Sequence, residues 1–162
     1  MTYQERVIHA TRQAIEDLFR IARAMPADKL EWSVLDQGRT VLDQLQECAQ
    51  APGWFAPILV TKQLQMPPPD QMPAVMEQLR AERQQWATIE DCERVCKQNS
   101  EKLYEAIRGV AESDLEIMVH LPFGGGIDRS VADCMLFHFW NLVYHIGQIN
   151  FIQTLYGDRE MH

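Results

Sequence analysis

The stretch from Ser130 to Tyr156, SVADCMLFHFWNLVYHIGQINFIQTLY, constrains the fold most. It holds no proline and a single glycine, Gly147. As one helix it would rise roughly 40 Å. Ser130 suits the N-cap, and Asp133 three residues later resembles a capping box with Asp in place of Glu. Gly157 is placed to end the helix. Two apolar series run along it. Met135, Phe139, Leu142, Ile146, Ile149 and Ile152 form one seam, and Phe137, Trp140, Tyr144 and Phe151 fill much of the rest. A helix apolar nearly all round is expected at the centre of a fold. His138, Asn141, His145, Gln148 and Asn150 interrupt it too often for a membrane span.

Those interruptions carry the chemistry. Asn141, His145 and Gln148 stand at i, i+4 and i+7, so they share one helical face. An unpaired buried polar group costs about 1–3 kcal/mol. The cluster therefore needs partners, whether side chains, water or a metal ion.

At 162 residues the chain suits one domain, 1–162, with a sizeable core. A net charge of −8 disfavours nucleic acid and anionic membrane as partners. MTYQERVIHA has no apolar signal region, so a cytoplasmic protein is expected. Cys48, Cys92, Cys96 and Cys134 fall in helical patterns and make no CxxC pair. Free, buried thiols are expected. Cys92 and Cys96 at i, i+4 have chelating spacing, although buried cysteine usually packs as a small hydrophobe.

Thr2 caps a first helix running to about Met25, with Val7, Thr11, Ile15, Leu18, Ile21 and Ala22 inward and Pro26 ending it. Residues 26–39 connect, anchored by Leu30 and Trp32. A second helix starts near Thr40 with Val41, Leu42, Leu45, Cys48 and Ala49 inward, and Pro52-Gly53 breaks it. Trp54 to Gln65 continues as a helical piece, and MPPPD (66–70) is a stiff loop. Pro73 opens further helix, either one bent helix to Val110 or two. Val75, Leu79 and Trp86 form its first apolar series. Residues 111–129 contain a short extended segment at LEIMVHL and a flexible GGG at 124–126. Four principal amphipathic helices predict an all-α four-helix bundle with long connections and short extra helical segments.

The run Tyr144-His145-Ile146-Gly147-Gln148-Ile149 resembles the last-helix signature of the DinB-like family (DinB/YfiT-like metalloenzymes), in which an HxxxH pair is followed by xGQ. Leu155-Tyr156-Gly157, Met25-Pro26, Trp32-Ser33, Thr40-Val41-Leu42 and Phe123-Gly124-Gly125 match that family's layout in order. The resemblance implies a DinB-like four-helix bundle, usually a homodimer. It also implies a divalent-metal site (Zn, Ni, Mn or Fe) made by three histidines. This chain departs from that pattern. The three ligand positions fall on Glu47, Asn141 and His145, so one imidazole remains. Carboxylate and imidazole suit first-row metals and an amide oxygen suits harder ones, but neutral amides are weak ligands for zinc.

Two functions follow. One is a metal-dependent transferase or hydrolase acting with a small thiol. The metal would lower that thiol's pKa, and without a metal Glu47 could still serve as base to His145. The other is a non-catalytic, dimeric helical bundle, stress-associated or ligand-binding, whose former metal site is a polar core network. His145 then stands as a satisfied core histidine, and Asn141 hydrogen-bonds Glu47. In either case Trp140 and Tyr144 belong to the core or to a dimer interface.

Overall fold

In the computed structural model, which describes residues 1–162, seven α-helices and one β-hairpin follow each other along the chain. They are α1 Tyr3–Arg23, α2 Val41–Gln50, α3 Pro52–Thr61, α4 Met72–Arg83, α5 Ile89–Arg108, β1 Met118–Leu121, β2 Ile127–Ser130, α6 Val131–Met135 and α7 Phe137–Leu155.

Local chemistry sets the ends of the long helices. Thr2 caps α1 through its hydroxyl, and Glu5 returns the bond to the Thr2 N–H. This capping box satisfies two otherwise orphaned donors. Thr40 and Thr88 cap α2 and α5 by accepting from Asp43 N–H and Asp91 N–H. Gly157, with φ +95, follows the end of α7 in the left-handed conformation that glycine adopts without strain.

The long helices pack side by side. α1 lies against α5 and α7, α2 lies against the same two helices from the other side, and α3 rests on α5. Two apolar clusters fill the space between them. Leu18, Phe19, Leu45, Cys96, Leu142 and Ile149 belong to the larger. Leu59, Leu103, Ile107, Val119 and Met135 belong to the smaller. Complete burial of each such side chain contributes about 1.5–3 kcal/mol. The four cysteines are free and buried within these helices. No helix is long and apolar enough to cross a membrane.

Residues 73–110, left open as one bent helix or two, form two helices, α4 and α5, separated by Gln84–Thr88. α4 buries none of its residues and holds Val75 and Leu79 only half-covered, so its apolar series is a surface one. The run from Ser130 is also two helices. Leu136 bonds back to Asp133 O, three residues away, which tightens the turn and separates α6 from α7. This lets α6 pack on α3 and the hairpin while α7 follows α1 and α2. The all-α expectation misses a two-stranded antiparallel sheet, in which Met118 pairs with Ser130 and Leu121 with Ile127. Gly124, Gly125 and Gly126 all have positive φ and form the turn that joins the two strands. Finally, α7 is not buried all round: Trp140, Tyr144 and Phe151 face outward.

Candidate functional site

α2 and α7 bring Glu47, Asn141 and His145 together. Asn141 and His145 are one helical turn apart on α7, so their side chains lie one above the other. Glu47 faces both from α2. Its Oε1 accepts from Asn141 Nδ2 at 3.1 Å and lies 3.1 Å from His145 Nε2. Its Oε2 lies 2.6 Å from Arg39 Nη1. The three positions picked out in the sequence thus form one constellation.

Two further groups complete it. Arg39 stands just before the α2 cap and also donates from Nε to Asp43 at 2.6 Å. Gln44 and Gln148 place their amide oxygens 3.1 and 3.0 Å from His145 Nδ1. Gln148, which shares a helical face with Asn141 and His145, helps hold the imidazole. Arg39 and Gln44 were not singled out from sequence. Gln44 had a legible signal, because it is polar inside the buried run Val41, Leu42, Leu45. Arg39 had none, since it precedes the helix and belongs to no periodic pattern.

His145 is fully buried, and the Tyr144 ring stands edge-on 5.1 Å away. Glu47 is partly buried. The His145 hydrogen bond and then the Arg39 charge outweigh its desolvation, and its carboxyl is held down to about 2. Hydrogen bonds to the charged form favour that form. Beside the network lies an open cavity of about 390 Å³ lined by Arg39, Gln44, Tyr144, Gly147, Gln148 and Phe151, among others.

No protein-family model matches the chain, and no curated protein matches it. What the site can do is therefore argued from its own geometry.

The spacing suits one metal ion. Two ligands at roughly 2.1 Å and right angles to each other sit about 3 Å apart, which is near the separation of Glu47 Oε1 and His145 Nε2. The remaining chemistry does not suit it. Oε1 already takes two donors and Oε2 takes a guanidinium. Both imidazole nitrogens face oxygen acceptors. No three His, Cys, Asp or Glu side chains gather in an arrangement that would hold a metal. The donor set does not fit a divalent cation while Arg39 stays on Glu47.

A second polar pair lies deeper. His138 and Ser100 are fully buried, with Nε2 3.3 Å from Ser100 Oγ. His138 Nδ1 has no partner, and burial pushes this imidazole down to about 3. His138 is hydrogen-bonded within the core between α5 and α7 and makes no bond to Glu47. Cys92 and Cys96 donate to different carbonyls, Trp86 O and Cys48 O. Burial raises both thiols to about 12, so they are inert packing groups.

Proposed function

We propose that this chain is a DinB-like four-helix bundle, with α1, α2, α5 and α7 as its staves, and that its α2–α7 constellation works as a hydrogen-bonded core bridge. The bridge forms one wall of a ligand-binding cavity, and the protein is non-catalytic. One observation carries this reading: the Glu47 carboxylate is filled. Asn141, His145 and Arg39 occupy three of its roughly four acceptor sites. Such a carboxylate is a structural anchor with little capacity left to act as a base or to ligate an ion. The neighbouring cavity combines amide and guanidinium edges with the Tyr144 and Phe151 rings. It suits a small molecule with a polar end and an apolar body.

One observation favours the second reading, a Zn-, Ni-, Mn- or Fe-dependent transferase or hydrolase that uses a small thiol. Asn141 Oδ1 is buried without a partner. Turning that amide over would aim an oxygen at the space between Glu47 and His145.

Elemental analysis of the purified protein decides between them, with His145→Ala as control and with each metal supplied in turn. No stoichiometric metal in either protein is the expected result. One equivalent in the native protein that is lost in His145→Ala would overturn the core-bridge reading and make thiol-transfer assays the next step.

A further inference from the structure

A separate cavity of about 390 Å³ opens where α3, the segment after it, the hairpin and the start of α7 meet. It shares no lining residue with the cavity beside His145. All eight side chains that line it are apolar. Four of them are aromatic: Trp54 and Phe55 in the first turn of α3, Phe123 in the hairpin turn and Phe137 at the start of α7. Ile58 and Leu121 are buried and form the floor. Met66 and Phe123, 42% and 53% exposed, stand at the mouth.

The sequence explains why this space stays open. Leu64 and Met66 wall it from the segment after α3, and Pro67, Pro68 and Pro69 follow directly. Proline fixes φ and stiffens the chain, so this wall does not fold inward. Phe123 stands just before three glycines of positive φ, and the Gly126 N–H donates to the Phe123 carbonyl at 3.0 Å. Both segments are held by their own backbone chemistry, not by packing into the space between them.

Such a space calls for an occupant, because protein interiors hold few voids larger than a water molecule. Water fills it poorly: an ordered buried water needs about two to four polar partners, and this lining offers none. A peptide segment brings N–H and C=O groups that need partners too. An ionised group would be costly there for the same reason. Size and shape narrow the choice further. An apolar cavity of about 150 Å³ takes up benzene, so 390 Å³ has room for two fused rings. Phe55 and Phe137 already stand edge-to-face with centroids 5.7 Å apart. Aromatic rings prefer that arrangement, and a further ring can continue it. Met66, unbranched and polarisable, adapts to a ring edge at the mouth.

We infer that this cavity is a binding site for a neutral, two-ring aromatic molecule that enters between Met66 and Phe123. The ligand differs in class from one suited to the cavity beside His145, since it carries no polar end. The inference uses none of the residues of the α2–α7 constellation, so it holds whether that constellation is a core bridge or a metal site.

Naphthalene is the probe, added to the full chain and measured by equilibrium dialysis. One saturable site with a Kd of about 10–100 µM is expected. Naphthoate, the same rings with a carboxylate, should bind at least about tenfold more weakly. In methyl NMR spectra naphthalene should shift Ile58, Leu64 and Leu121 and leave Ile152, which lines the cavity beside His145, in place. Met66→Glu combined with Phe123→Glu sets charge at the mouth on residues that are already exposed. This double variant should keep its far-UV circular dichroism and weaken naphthalene binding at least about tenfold. Leu64→Trp, which fills the cavity from its wall, should weaken it likewise. No saturable binding by the native chain, equal binding of naphthoate, shifts centred on Ile152, or folded variants that bind as the native chain does would each overturn the inference. A native chain of twice the single-chain mass in light scattering that becomes single in the double variant would also overturn it, since a second copy would then be the occupant.

Discussion

Glu47→Gln tests the α2–α7 bridge, because it keeps the shape of the side chain and removes its charge. In the folded protein the Glu47 carboxyl is held down to about 2, from an ordinary value of 4.5. At 1.36 kcal/mol per unit, that difference corresponds to about 3 kcal/mol of extra stabilisation of the charged form. The side chain is 29% exposed, so solvent takes part of this, and a loss of about 2–3 kcal/mol at pH 7 is expected. The folded value lies below the unfolded one. The contribution is therefore fully present above about pH 4.5 and is lost as pH falls towards 2. Urea unfolding followed by circular dichroism, at steps from pH 7 to pH 2.5, measures the gap between native protein and variant. The gap should be flat down to about pH 5 and then shrink. A gap under about 0.5 kcal/mol at neutral pH, or one that does not narrow in acid, would refute the view that the His145 and Arg39 contacts hold this carboxylate.

Two other substitutions probe the buried polar groups. His138 is pushed down to about 3 by burial, so its neutral form stabilises the fold fully above about pH 6.5 and progressively less as pH falls towards 3. The native protein should lose about 2 kcal/mol between pH 7 and pH 5 from this group, and His138→Gln should flatten that slope in the same urea experiment. The Tyr104 hydroxyl is buried with no partner, and Tyr104→Phe should leave stability unchanged or raise it by about 1 kcal/mol, read as a shift in the urea midpoint.

Much of the fold was legible because the first two helices follow simple rules. Thr2 and Thr40 are caps in the sequence and in the structure, and each predicted inward residue of α1 and α2 is buried. The hairpin was half legible. LEIMVHL alternates, but its partner Ile127–Ser130 is short and mostly exposed, so it has no apolar pattern to show. It is ordered by pairing across a glycine turn, which is a tertiary fact. The break at Leu136 was illegible for a similar reason. Leu136 is a good helix former, and what separates α6 from α7 is that they pack on different neighbours. Asn141 and His145 were legible because polar residues on an apolar face need partners, whereas Glu47 was reached only through the resemblance to the DinB-like layout. The Arg39 component of the constellation enters from a connecting segment, where periodicity says nothing.

The misreading of α7 has a physical cause. Apolar residues on every side of a helix predict burial on every side, and that logic does not state which surface does the covering. Within one chain, α1 and α2 cover Leu142, His145, Ile149 and Ile152. Trp140, Tyr144 and Phe151 stay 43%, 62% and 62% exposed. Had those three positions been selected for water, charged residues would be expected among them, as on α5, where Glu93, Lys97 and Glu101 pair with Arg23, Glu16 and Arg12. The outward face of α7 has the composition of an interior and the exposure of a surface.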